Sequence, residues 1–510
     1  FIILSILSAV IYFTWWLNLS KIGHPVLFGA LFIGEIYHVW QAIGFSLTVW
    51  DQKRILSPKI KQYLTVDVFI TVCGEPPKLV EETIAAATSL DYPKYKVYVL
   101  NDGFSRNLPG WEEVNEIALK YGATPIVRET NKGNKAGNVN NALSKTSGEL
   151  VVIFDADHVP HRDFLKKSVG FFKAKKVALV QTPQYYVNRE QNFLTTAAWE
   201  QQELFFGPIC RGKNFMNATF WCGTNAILRR KALEDIKGVP ENNIAEDFLA
   251  SLFFHERAWE TVYLAEVLAE GLAPQNLANY VTQQFRWARG SSELMFRYNP
   301  IFNKRLTWAQ KIQYLYSSSY YLNGFIALID AVVPLLVLFT GVNPVKDMTA
   351  DFMIYFFPFI FFTINLLMLS TGNTITFRAV QLSMSSSYVF IRAVLGSLFG
   401  IKSGFKVTSK EYEGGNFLKL ALPHIVYTFV GVTAMIVGVV REGFVPSVIT
   451  NASWVLFNII MFFGFIRVAY PWQVKTRALL DRVSLAIKPR EVTVAELAEV
   501  FVETKGENVI

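Results

Sequence analysis

Long stretches of this chain carry no charge: Phe1–Leu19 has none, and neither does His24–Gly34. Two such stretches in close succession exclude a cleaved signal peptide, which has one short apolar core. Cysteine is scarce, and Cys73, Cys210 and Cys222 form neither a C-x-x-C pair nor a plausible disulfide framework. That usage predicts a soluble portion facing a reducing compartment. There is no long Lys/Arg run and no basic patch interleaved with aromatics, which sets nucleic acid aside as a partner despite a formal net charge of +8. Basic loops against an anionic leaflet account for the excess. Met does not open the chain; Phe1 stands inside an apolar run, so residues upstream of it are expected.

Apolar side chains are abundant, 52% of the total, too many for an ordinary soluble domain. They gather in two blocks, one at the start and one after Leu315, around a middle third of mixed composition. A membrane helix needs about twenty apolar residues. Residues 1–50 therefore read as a transmembrane hairpin, and four further spans are predicted near Tyr316–Phe339, Phe352–Thr371, Phe417–Val440 and Val445–Tyr470. Lys53, Arg54, Lys59 and Lys61 follow the hairpin and place the next segment in the cytoplasm by the positive-inside rule. The predicted organisation is a hairpin at 1–50, a cytoplasmic domain with interfacial helices at 51–311, a membrane region at 312–470 with a basic loop near 402–416, and a short cytoplasmic tail at 471–510. Glu35 and Asp330 lie inside apolar runs. Either they face a polar cavity, or the helix register brings each near an interface, and both readings stay open.

Between the blocks, Val66–Val72, Val97–Leu100, Thr124–Val127 and Leu150–Phe154 are short β-branched runs, separated by helical patterns such as Lys78–Ser89 and Trp111–Tyr121. Strands alternating with helices predict a mostly parallel, doubly wound α/β sheet inserted between membrane helices. Ligands of such sheets bind outside the carboxyl ends of the strands.

Acidic residues sit at those ends. The Leu150–Phe154 run stops in Asp155-Ala-Asp157-His158, two carboxylates spaced i, i+2, which extended geometry turns to one face. Such a pair repels unless a cation joins it, and hard oxygen ligands suit Mg²⁺ or Mn²⁺ on a diphosphate; a surface turn is the plain alternative. A second strand ends in Asn101-Asp102-Gly103, where Asp-Gly alone reads as a turn. Asn131–Asn138, containing Lys135, combines small residues, amides and lysines, as expected of a backbone approaching phosphate or of a solvated loop. Gln283, Arg286 and Trp287 share a helical face, offering charged donors and a flat ring for a sugar; a snorkelling Arg on an amphipathic helix is the alternative. Ala245-Glu246-Asp247 supplies a carboxylate for base catalysis, or a helix-capping acid pair.

Taken together, Asp102, Asp155-x-Asp157, Ala245-Glu-Asp247 and Gln283-x-x-Arg286-Trp287 resemble the D, DxD, (T/A)ED, QxxRW set of processive family-2 glycosyltransferases, in order and spacing. Lys135-Ala-Gly-Asn, Gln181-Thr-Pro183, Phe220-Trp-Cys222-Gly-Thr224 and Phe405-Lys-Val407-Thr408-Ser-Lys410 are similar to the bacterial cellulose synthase catalytic subunits, the last to their FxVTxK gating loop. The likeness spans about Phe1 to Tyr470, with departures at Cys73, Gln184, Trp221 and Ala245. The residues after Tyr470 are too few for a cyclic-di-GMP-binding PilZ barrel.

The resemblance implies a glycosyltransferase-A-type domain and an inverting, processive polymerisation of UDP-sugar, with UDP-glucose and a β-glucan such as cellulose foremost. Curdlan, mixed-linkage glucan, hyaluronan and chitin are the alternative products, and a non-processive glycosyltransferase acting on a lipid or a polysaccharide-binding transporter are the more distant alternatives. It implies Asp247 as catalytic base. Glu75, Asp102, Lys135, Asp155, Gln283, Arg286, Thr408 and Lys410 would bind the nucleotide, and Cys222 and Trp287 the acceptor. Asp155, Asp157 and His158 would hold Mg²⁺ or Mn²⁺. The implied partners are UDP-sugar, the nascent polysaccharide and the bilayer, with accessory secretion subunits or a second copy compatible. The implied location is the inner membrane, multi-pass, with a cytoplasmic catalytic domain.

Overall fold

The computed structural model describes residues 1–346, 350–374, 377–401 and 415–470. The predicted loop near 402–416, including Thr408 and Lys410, falls almost wholly outside these residues, as does the tail at 471–510.

The middle of the chain forms a seven-stranded sheet. Across it run Thr124–Val127, Tyr95–Asn101, Val66–Val72, Leu150–Asp155, Ala226–Arg229, Val177–Gln181 and Glu260–Tyr263. The first four strands are mutually parallel, while Ala226–Arg229 runs antiparallel between its two neighbours. Apolar side chains alternate between the faces and are covered on both. Leu150, Val152 and Phe154 enter one core beneath the Pro77–Thr88 helix, and Val151 and Ile153 enter another with Val139 and Ala142 of the Asn134–Leu143 helix. Burial on both faces is why these strands read as unbroken apolar runs. A small second sheet (Val159–Pro160, Ala269–Gly271, Tyr185–Tyr186) extends the carboxyl edge.

Five helices among the described residues are long and apolar enough to cross a membrane: Pro25–Thr48, Trp308–Thr340, Asp351–Ser370, Leu418–Glu442 and Pro446–Ala469. The protein is a membrane protein. The Ile2–Trp16 helix, at 15 residues, is shorter than a full span and packs against Pro25–Thr48 and Ala350–Ser370. The second of these long helices starts earlier than hydropathy predicts, at Trp308, because Thr307 and Gln310 form a capping box there. It tightens at Tyr320–Leu322 before continuing as Asn323–Thr340. The Leu277–Arg297 helix joins the two halves: it packs on Ser387–Leu398 through Ala288, Phe390 and Ala393.

Candidate active site

Because the first four strands are parallel, their carboxyl ends share one edge, and Glu75, Asp102, Arg128 and Asp155 follow or end those strands there. Asp102 is buried, and both its oxygens accept from Arg128, from Nε and Nη2 at 2.6 Å each. Such a bidentate pair is strong and fixes geometry. Arg128 also donates to the Lys132 and Asn134 carbonyls, so it ties the strand end to the loop that opens the Asn134–Leu143 helix. Gly137 is small for the same reason: a Cβ there would lie 2.0 Å from the Lys132 carbonyl oxygen. The smallness of this loop thus serves its own packing. Nearby, Glu75 accepts from the Cys73 N–H at 2.6 Å. Burial pushes the Cys73 thiol up to about 11, which leaves it neutral.

The second half of the edge gathers around Lys135, which donates to Asp155 Oδ1 and, at 2.9 Å, to the Gly223 carbonyl. Burial pushes the Asp155 carboxyl up, but the Lys135 ammonium and His158 more than offset this, and the net direction is below the ordinary range. Lys135 is penalised by burial, yet Asp155, Glu246 and Asp247 raise it overall. Extended geometry ends at Asp155, and Asp157 lies in the turn that follows. The two carboxylates therefore do not share a strand face as the spacing suggests. Asp157 is drawn inward, accepting from the Leu272 N–H at 3.2 Å and standing 3.4 Å from His158 Nδ1. The His158 ring is buried against Gly271, and neither ring nitrogen finds a hydrogen bond of normal geometry.

Glu246 and Asp247 open the Glu246–Glu256 helix. Burial raises both carboxyls above the ordinary range, each adds to the other's cost or feels a neighbouring acid, and Lys135 opposes the rise. Asp247 Oδ1 accepts from the Phe248 N–H at 2.8 Å. The Leu277–Arg297 helix approaches so closely that a Cβ on Gly290 would lie 2.3 Å from that of Ala245. This contact brings the Arg286 charge to Glu246 and leaves Trp287 half-buried on the same helix. Gln283 reaches the buried Tyr186 hydroxyl, which also accepts from Gln202 at 2.8 Å. Cys222 is held by Gln181, whose Oε1 accepts its N–H at 2.9 Å, and by Gln184, which donates to its carbonyl. Burial pushes the Cys222 thiol well up, so it too is neutral. A cavity of about 420 Å³ opens beside this cluster, lined by Lys135, Glu246, Arg289 and Arg297 among others.

The fold thus brings Lys135, Asp155, Asp157, His158, Cys222, Glu246, Asp247 and Arg286 to one end of the edge, and Glu75 and Asp102 to the other. Arg128 and Tyr186 escape sequence reading, and Gln181 enters it only inside the Gln181-Thr-Pro183 likeness, with no role attached. A lone Arg directly after a strand, at the edge where ligands bind, was the available signal for Arg128.

Residues 65–290 match the family model described as Glycosyltransferase like family 2, and residues 238–475 match the Cellulose synthase model. The chain thus carries a family-2-like glycosyltransferase domain followed by a cellulose synthase domain. It is 32% identical over 494 residues, 90% of its length, to a cellulose synthase catalytic subunit [UDP-forming] of Pseudomonas fluorescens, and spans 65% of that protein. It is also 32% identical to cellulose synthase 2 of Novacetimonas hansenii over 80% of its length, but spans only 26% of that much longer relative. A solved Pyrobaculum calidifontis mannosyltransferase, in complex with GDP-Man and Mn²⁺, superposes with a TM-score of 0.49 at 18% identity, covering 72% of this chain and 99% of that one.

Proposed function

We propose that this protein is a processive, inverting family-2 glycosyltransferase that polymerises glucose from UDP-glucose into a cellulose-type β-glucan and passes the polymer through its own membrane helices. The observation that carries the reading is Asp247. Its carboxyl is raised by burial, is fixed by the Phe248 N–H, and stands at the start of a helix pinned beside Arg286 and Trp287. A general base works best with a pKa near the operating pH. Asp247 takes the proton of the acceptor hydroxyl as its oxygen bonds to the anomeric carbon. The bond from that carbon to the UDP oxygen breaks on the opposite face, and the electron pair leaves with UDP. Lys135 and Arg286 receive the diphosphate charge. Trp287 and the Cys222 loop bear the acceptor, and Gln283, Glu75 and Asp102 order the nucleotide side.

The residues fit a divalent cation. Among the described residues no three His, Cys, Asp or Glu side chains converge as a self-sufficient metal site. Mg²⁺ and Mn²⁺ at nucleotide sites use one or two carboxylates and complete their shell with phosphates and water. Asp155 and Asp157 would supply the carboxylates, and His158, with both nitrogens orphaned, stands beside them. When bound, the cation neutralises diphosphate charge. The basic residues after Thr48 orient the α/β domain to the cytoplasm of a bacterial inner membrane.

The experiment is synthesis by purified protein from radiolabelled UDP-sugars with Mg²⁺ or Mn²⁺, followed by digestion with linkage-specific glucanases. Polymer made from UDP-glucose and degraded by a β-1,4-glucanase is the expected result. Polymer resistant to it but cut by a β-1,3-glucanase moves the reading to curdlan, and no polymer from any UDP-sugar removes it.

A further inference from the structure

Two carboxylates stand midway along membrane helices, and the fold brings both to one histidine. Glu35 and His38 lie a turn apart on Pro25–Thr48, with His38 Nδ1 3.6 Å from Glu35 Oε2. The other ring nitrogen, Nε2, stands 3.4 Å from Asp330 Oδ2 on Asn323–Thr340. The imidazole is clamped between acids from two different helices. A third helix, Ile2–Trp16, adds Tyr12. Its wholly buried hydroxyl faces Glu35 and Asp330 yet makes no hydrogen bond of normal geometry, and neither does the neighbouring Trp16 Nε1.

The elements packed around this cluster bring little further charge. Ala350–Ser370 presents the Phe352, Phe356 and Phe359 rings to Tyr12. Pro446–Ala469 offers the Asn458 amide to the Asp330 carbonyl at 3.2 Å, and Leu418–Glu442 the Tyr427 hydroxyl to the Ala331 carbonyl at 3.1 Å. Tyr37, beside His38, donates to the Tyr320 carbonyl. The Lys21–Asp351 pair lies beyond the start of Pro25–Thr48, at the end of the hairpin.

The Glu35, His38 and Asp330 side chains keep 16%, 36% and 31% of their exposure. Charged groups at membrane depth face water or a polar cavity, because hydrocarbon excludes them. With a neutral imidazole the cluster would carry two negative charges; one proton leaves one, and a second leaves none. Each step towards neutrality is favoured where water is sparse.

We propose that Glu35, His38 and Asp330 form an intramembrane proton-binding site, in which one proton is held on the imidazole between the two carboxylates and a second enters from water as pH falls. The bound proton joins the amino-terminal hairpin to the rest of the membrane bundle. Without it, like charges face each other across that seam. Tyr12, whose hydroxyl faces Glu35 and Asp330, offers a donor to either carboxylate. The site would bind its proton whether or not the α/β domain transfers sugar.

The test is infrared difference spectroscopy of the full chain in lipid nanodiscs between about pH 3 and about pH 11, a span wide enough for carboxyl and imidazole groups that alter one another's proton affinity. Wild type should show carboxyl and imidazole bands that change with pH. The carboxyl change should vanish in the Glu35→Gln/Asp330→Asn double variant and the imidazole change in His38→Gln. His38→Gln, which leaves two unbridged acids, should melt earlier than wild type, while the double variant should not. Should the double variant fail to fold, Glu35→Gln alone carries the spectral comparison through His38 and Asp330. Identical pH difference spectra for wild type and the carboxyl variants would overturn the site, as would spectra that follow sodium concentration and not pH. Loss of UDP binding by wild type would sink the glycosyltransferase reading and leave this measurement untouched.

Discussion

Asp102 and Asp247 stand on the same edge of the domain in opposite environments. Asp102 is buried and saturated by two hydrogen bonds from one guanidinium. Asp247 accepts one backbone N–H, feels Lys135 at a distance, and has its carboxyl pushed up by burial. The first arrangement spends its charge on holding a loop in place. The second leaves a carboxylate whose proton affinity has been raised and whose charge is not consumed. A family motif records both simply as acids; the environment separates a carboxylate committed to structure from one suited to the proposed role of base.

Breaking the Asp247 side of the contrast should have the largest effect. Asp247→Asn should lower the transfer rate by about 10²–10⁴, the usual contribution of a general base. UDP affinity, measured by calorimetry, should stay near wild type. Comparable losses of UDP affinity and turnover would remove the distinction.

On the Asp102 side, Arg128→Met should strand a buried carboxylate, at a cost of about 3–5 kcal/mol in stability. A chemical-denaturation series reads this, and Asp102→Asn combined with Arg128→Met should recover part of it. A double variant no better than Arg128→Met would show that the pair does not act as a pair.

The pH profile sharpens the contrast further. Burial places the Glu246 and Asp247 carboxyls above the ordinary range, so kcat/KM should fall on the acid side well above about pH 4, where an exposed carboxylate titrates. Linkage runs the other way for stability: the folded state binds these protons more tightly than the unfolded one, so charging the pair above its raised range is destabilising. Glu246→Gln should therefore raise the melting temperature at neutral pH and move the acid limb to lower pH, since one of two interacting acids is gone.

The smallest effect is expected at Gln181, which neither half of the comparison contains. Gln181→Leu leaves the Cys222 N–H and the Thr182 and Thr224 carbonyls without that partner, costing about 1–3 kcal/mol. Thermal denaturation should register it, with acceptor use affected more than UDP binding.

Much of this was legible because the chemistry sits in contiguous strings. The Leu150–Phe154 run announces a strand buried on both faces, and charge-free stretches announce membrane helices. What was hidden depends on distant segments meeting. Arg128 closes on Asp102 only because neighbouring parallel strands end level, and Gln181 meets Cys222 across an antiparallel pair. Glu35 and His38 are a readable i, i+3 pair, but Asp330 joins them only through helix packing. The i, i+2 spacing of Asp155 and Asp157 misled in a specific way, since the strand stops before the second acid.

The meeting of Gly290 with Ala245 works as a shim. With a Cβ-to-Cβ clearance of 2.3 Å for any larger residue at 290, the thickness of a single methyl group sets how far the helix bearing Trp287 stands from the turn bearing Asp247. The height of the slot between the proposed base and the proposed acceptor platform is therefore written in two of the smallest side chains. Gly290→Ala would thicken the joint without touching Asp247 or Trp287, and on the proposed roles the first property to drift would be which sugar ring fits the slot between them.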